Sequence, residues 1–251
     1  LGTWRDAVAR LAEGEQETFP VRLAPTFTVD KSLYGSPTFP RSGQPLINSE
    51  YGEGFTSLER AWHLRWETQE LRRHDRFAGY VYTEFADVEH EAAGLLAHDR
   101  RRKDWGGCMP SYVNADTTLV INLVPRVAGA DIASPVEAFR LGVHVSHHGR
   151  GVVDGRVRAG WVAAGSRVDG PFAEAALSEV VSVQPFVLSG VVELDVPPVA
   201  GPARLLLEFV DVSGHAIARS FIDAAPVESA NRRGARDGEY GGWRQPGFSE
   251  G

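Results

Sequence analysis

Cysteine is almost missing from this chain: Cys108 is the only one in 251 residues. A single thiol excludes an internal disulfide framework and a cysteine-rich zinc site, and it leaves the compartment open. No apolar stretch is long enough to cross a bilayer, and no signal-peptide pattern is present, so neither a membrane nor a secretory address is implied. Positive charge is also scarce, with a formal net charge of -7 and no basic stripe, which argues against nucleic acid as a partner. The one dense basic cluster, Arg100-Arg101-Arg102-Lys103, reads as a solvated or salt-bridging loop. No internal repeat is found.

Apolar residues make up 43% of the chain, enough for a buried core in one large or two ordinary domains. The first residue is Leu1, and a helical pattern starts at once with Trp4, Ala7, Val8 and Leu11, which Gly14 is placed to end. This amphipathic helix needs a partner. The expectation is that the natural N-terminus lies upstream and that the partner is there too. Residues 18 to 45 contain Pro20, Pro25, Pro37, Pro40 and Pro45 and predict a long irregular segment. Residues 229 to 251, rich in Arg, Gly, Asp and Glu, predict a tail or linker.

Two apolar runs flank a helix. The first is Leu46-Ile47, ending in Asn48-Ser49-Glu50-Tyr51-Gly52, and the second is Phe77 to Glu84. The second is continuous rather than alternating, as in a parallel strand covered on both faces, and both are expected to be buried. Between them Thr56 and Glu59 form a capping box, Leu58, Trp62 and Trp66 share a face, and Arg72, Arg73 and His74 suit the C-terminal dipole. Strand, helix and strand make a parallel crossover, whose strand ends form a ligand-binding face. Glu50 then points into a mouth. A carboxylate there serves catalysis, a helix cap or an ion pair, and position alone does not choose among them.

The run Leu46-Ile47-Asn48-Ser49-Glu50-Tyr51-Gly52 followed by Ala78-Gly79-Tyr80-Val81-Tyr82-Thr83-Glu84 and the acidic segment to Glu91 resembles the end of a family 2 glycoside hydrolase barrel. Gly94 to Leu96, Asp99, Arg100 and Lys103 match the family's closing motif, and the resemblance covers roughly residues 30 to 105. It implies that Ser49-Glu50-Tyr51-Gly52 sits at the seventh barrel strand with Glu50 as the catalytic nucleophile, and that Tyr51, Tyr82, Glu84 and Asp87 contact a carbohydrate substrate. Tyr82 matches an aromatic position under the sugar ring, with a core tyrosine as the competing reading. No cofactor is implied, and no metal is assigned. The His144, His147 and His148 run reads as surface or turn histidines, and an incidental cation site near His90 and His98 is not adopted.

Retention needs two carboxyl groups about 5 Å apart, and Glu50 supplies one. The family's acid/base follows an Asn at an upstream strand, and this sequence contains no Asn-Glu pair. Glu84 is the carboxylate best placed to substitute; Asp87, Glu89 and Glu91 read as surface charge. The chain by itself is therefore expected to be inactive, with the missing upstream domains of the same polypeptide completing the enzyme.

After Lys103 the pattern becomes short runs with Gly and Pro between them: 118 to 124, 139 to 146, 157 to 163, 177 to 183, 187 to 194, 203 to 210 and 216 to 222. The expected fold class is α/β plus all-β: the C-terminal portion of a (β/α)8 TIM barrel over residues 1–110, an immunoglobulin-like β-sandwich over 111–228, and the tail. Two other readings stay open. In one, the sandwich is a non-catalytic carbohydrate-binding or interdomain module, with Trp161 and Phe172 as its aromatic platforms. In the other, the chain is a complete degenerate protein whose N-terminal segment covers the sheet edge.

Overall fold

The computed structural model describes residues 2–15, 17–24, 26–33, 43–52, 57–89, 91–125 and 131–226. In chain order the elements are α1 (Gly2–Glu13), β1 (Glu17–Ala24), β2 (Phe27–Leu33), β3 (Leu46–Tyr51), α2 (Ser57–Arg72), β4 (Phe77–Tyr82) and α3 (Pro110–Val113). There follow β5 (Thr117–Ile121), β6 (Ile132–Ala133), β7 (Phe139–His147), β8 (Val153–Ala163), β9 (Ala176–Leu177) and β10 (Val181–Val183). The last are β11 (Val187–Leu188), β12 (Val192–Val196), β13 (Ala203–Asp211) and β14 (Ala216–Ala225). The protein is mostly β-strand with few helices.

Two sheets face each other across one core. In the first the order is β10-β8-β13-β14-β6, with β9 added to β8; in the second β7 pairs with β5 on one side and with β11 and β12 on the other. Alternation fixes which side chains turn inward: Leu141, Val143 and Val145 of β7 and Val192, Leu194 and Val196 of β12 meet Val157 and Ala159 of β8 and Leu205, Leu207 and Phe209 of β13. Strand β13 lies between β8 and β14 and is covered on both faces. Its second face sets Leu206 beside Phe221, Trp105 and Val113, and pairs buried Arg204 with Asp223.

Helix α2 reads as a surface helix, rich in Glu and Arg, yet most of it is buried. Trp62 and Trp66 enter the core between the sheets, Ala61 and Leu64 join the cluster around Trp105, and Leu71 packs with Val8 and Tyr51. Its charges survive burial because each finds partners. Arg5 of α1 grips Glu70 through two hydrogen bonds of 2.8 and 2.5 Å, and Gln69 accepts the Ile121 amide at 2.6 Å. Asp131, fully buried, accepts the indole N–H of Trp62 at 2.9 Å and of Trp66 at 3.0 Å, the Arg65 guanidinium at 2.7 Å and the Asp223 amide at 2.8 Å. Burial pushes the Asp131 carboxyl up from its ordinary range, while four N–H donors and no acceptor suit the charged carboxylate.

Several expectations change here. Helix α1 ends at Gly14 as its pattern predicts, and it packs on α2 and β3 within the described residues. The proline-rich stretch contains an antiparallel ribbon, β1 with β2, in which Pro20 lies opposite Asp30. A two-stranded ribbon leaves each strand one unpaired edge, so a proline without an N–H is tolerated; Pro37 and Pro40 lie outside the described residues. The parallel β3–α2–β4 crossover forms as predicted, with Asn48 opposite Tyr80 and Tyr51 opposite Tyr82. Its strands are not covered on both faces: Ile47 is 64% and Val81 53% exposed. Among the described residues this sheet has two strands, and α1 and α2 cover one side of it. The capping box and Leu58 lie outside the described side chains. The 177 to 183 and 187 to 194 runs each break in two, into β9 and β10 and into β11 and β12.

Candidate active site

The site forms where β3 ends beside β4. Glu50 is the penultimate residue of β3 and is exposed. Its amide donates to Asn48 Oδ1 at 3.0 Å, which fixes the turn of the strand end. Tyr51, next along the pleat, is buried against α2, and its hydroxyl lies 2.5 Å from Thr68 Oγ1. Burial holds its phenol far above the usual tyrosine range. Its ring meets Tyr82 edge-on at 5.5 Å and Tyr80 at 6.0 Å.

Gly52 explains itself by contact. At φ +146° its place is open to glycine alone, and a Cβ there would stand 2.3 Å from the Thr83 carbonyl oxygen. Thr83 donates its own amide to the Tyr51 carbonyl at 2.7 Å, so the ends of the two strands are tied across the crossover. Tyr82 is half-buried, with its hydroxyl donating to the Ala93 carbonyl at 2.7 Å. Glu84 follows a cis Thr83–Glu84 peptide and is half-buried, with Oε1 sealed from solvent and without a hydrogen-bond partner. Asp87 is bound to the Lys103 ammonium and accepts the Gly94 amide at 3.0 Å. Gly94 is required too, since a Cβ would lie 2.3 Å from the Asp87 amide nitrogen.

The sequence-predicted residues therefore divide. Glu50, Tyr82 and Glu84 lie at or just beyond the C-terminal ends of β3 and β4, where Glu50 is open to solvent and Glu84 Oε1 is buried without a partner. Tyr51 and Asp87 have their polar atoms engaged by the protein, the first with α2 and the second with the closing loop. Sequence reasoning did not single out Asn48 or Thr83, whose roles rest on hydrogen bonds that no motif spells out. Among the described residues no three His, Cys, Asp or Glu side chains are grouped to hold a metal ion. His144 and His147 are engaged by Ser189 and by Thr117 and Gly151. Arg101 pairs with Asp99, in keeping with a salt-bridging basic loop. Trp161 and Phe172 are half-buried rather than open platforms: Trp161 donates to the Pro197 carbonyl at 2.9 Å, and Phe172 lies under Arg158 at 5.1 Å.

No protein-family model matches this sequence, and no curated protein sequence matches it. Among solved structures, the exo-chitosanase of Amycolatopsis orientalis is similar over 66% of this chain and 18% of its own, at 14% identity and a TM-score of 0.45. The β-glucuronidase of Bacteroides uniformis is similar over 73% of this chain and 22% of its own, at 13% identity and a TM-score of 0.30. The chain spans about a fifth of the length of these structures.

Proposed function

We propose that this chain is the nucleophile-bearing part of a retaining glycoside hydrolase of family 2, with residues 1–110 from the end of a TIM barrel and the two facing sheets an immunoglobulin-like sandwich behind it. The observation that carries the reading is Glu50: an exposed carboxylate at the C-terminal end of a parallel strand, in a Ser-Glu-Tyr-Gly sequence whose Tyr and Gly are tied to the next parallel strand. In a βα barrel that end carries the chemistry.

In this role a Glu50 oxygen attacks the anomeric carbon and forms a glycosyl ester, while the aglycone oxygen departs with a proton from a second carboxyl group. Water then cleaves the ester, and the second carboxylate takes its proton. The chain supplies the attacking group, and the upstream part of the same polypeptide supplies the proton donor and most of the pocket. Tyr82 offers its ring to the sugar, and Glu84 stands just beyond it at the end of β4. Tyr51 and Asp87 hold the strand end and the closing loop in place.

The test is turnover of a panel of aryl β-glycosides by the full-length gene product beside its Glu50→Gln variant. Cleavage of one sugar with nearly all kcat lost in the variant is the expected result. A variant that keeps its rate removes the nucleophile assignment.

A further inference from the structure

A cleft lies at the opposite end of β4 from Glu50. It has a volume of about 490 Å³ and sits between the end of α2, the start of β4 and the loops around Asn114, His148 and Phe186. That volume is in the range of small-molecule sites.

Its chemistry is specific. Phe186 is 69% exposed at the rim. It is held there by a backbone at φ +60°, a conformation unfavourable for a bulky residue, and by an amide hydrogen bond of 2.7 Å to the His147 carbonyl. Its ring stands 6.1 Å from the His148 ring, so two rings stand together at one lip. Uncommitted polar groups line the rest. The carboxylates of Asp75 and Asp116 make no side-chain hydrogen bond, and His74 Nε2 is buried without a partner. Asn114 uses its oxygen to accept from Tyr80 and keeps its NH2 group.

The buried cation in the wall does not make this an anion site. Arg72 spends its N–H groups on Ser146 Oγ, the Tyr80 hydroxyl and the carbonyls of Ala115, Asp116 and Ser146. With its five N–H donors engaged, it has none for a ligand, and the two open carboxylates repel a negative group.

We propose that this cleft binds a neutral saccharide of one or two units, the C–H face of a ring lying on Phe186 and its hydroxyls donating to Asp75 and Asp116. Aromatic faces suit the apolar side of a sugar, and carboxylates without protein donors suit its hydroxyls. The site is separate from Glu50 and requires no bond cleavage.

Binding is measured by calorimetry and by ligand-observed NMR, using methyl β-glycosides of neutral hexoses and their β-linked disaccharides, with glucuronate and inorganic phosphate as anionic probes. The variants are Phe186→Gly, which removes the ring at a position where glycine is at ease, Asp116→Asn, and Glu50→Gln. The expected result is saturable binding of a neutral saccharide that weakens about tenfold in Phe186→Gly and in Asp116→Asn and is unchanged in Glu50→Gln. Binding of none of the neutral sugars, preference for an anion, or indifference to Phe186→Gly overturns the proposal. Loss in Glu50→Gln alone also overturns it, because the sugar then sits at the strand end and the catalytic reading stands by itself.

Discussion

Replacing Asp131 by Asn keeps shape and volume and changes only the hydrogen-bond sense. The carboxylate accepts from two indoles, a guanidinium and an amide, all buried. An asparagine oxygen can serve one pair of these donors, and its NH2 group then faces the other pair. If the oxygen stays with the indoles, the NH2 meets Arg65 and the Asp223 amide, and Arg65 is left with no negative partner. Arg65 also donates to the Phe221 carbonyl and lies 3.7 Å from the Phe221 ring and 4.6 Å from the Trp66 ring, so it stays buried. Breaking a buried pair from one side costs about 3–5 kcal/mol, and an orphaned amide adds about 1 kcal/mol or more. A total near 5 kcal/mol rivals the whole stability of many domains, about 5–15 kcal/mol. Urea unfolding at 25 °C, followed by tryptophan fluorescence, reads the loss directly: with a slope of about 2–3 kcal/mol/M the midpoint falls by about 2 M. Asp169→Asn is the control, because its pair with Arg167 is at the surface and its midpoint stays in place. A drop below about 1 kcal/mol in Asp131→Asn would falsify the claim that this carboxylate fastens α2 to the sheets.

Gly52→Ala brings a methyl group to 2.3 Å from the Thr83 oxygen; the strand ends separate, and thermal unfolding shows a loss of about 2 kcal/mol or more. His74 and His148 are both lowered by burial, so the folded state resists their protonation. Their contribution is complete above the unfolded value of about 6.5 and is lost as pH falls through the lower folded values. Tm measured from pH 7.5 down to 5 therefore falls less in a His74→Gln, His148→Gln double variant than in the parent, and parallel curves sink the assignment. Burial raises the Cys108 thiol to about 11, so iodoacetamide at pH 8 leaves it unmodified until urea unfolds the chain; rapid alkylation of the native protein contradicts its buried place.

How much was legible depended on whether the signal was local. Gly14 ends α1, and alternation along Leu141, Val143 and Val145 marks a strand with one face inward, because each of these is a property of consecutive residues. The parallel crossover from β3 to β4 was legible for the same reason: a strand, a helix and a strand in that order leave few alternatives. The burial of α2 was not. Its Glu, Arg and Gln residues suggest a wet face, and only their partners at Arg5, Ile121 and Asp131 make a dry one possible. Those partners are far away in sequence. The ribbon β1–β2 was missed because prolines were read as breakers, when a two-stranded ribbon has edges that tolerate them.

The candidate site shows the same division at finer scale. The strand-end position of Glu50 was legible from the sequence, while the reason for Gly52 appears only when Thr83 is seen beside it. The resemblance implies a substrate contact for Tyr51, and its place in a pleated strand sets it on the face opposite its neighbour Glu50. One neighbour reaches solvent and the other reaches Thr68. That opposition is useful to the proposed chemistry: the carboxylate sits one residue from a buried ring locked to α2, so its backbone cannot drift when a sugar arrives. Helix α2 is itself fixed by Asp131 to the sheets. A nucleophile must be held within about 0.5 Å to act, and here the chain of contacts runs from Glu50 through Tyr51 and Thr68 to Trp66 and Asp131. The facing sheets thus serve the strand end as a foundation, which predicts that loosening Asp131 lowers kcat in the full-length gene product at temperatures below its unfolding.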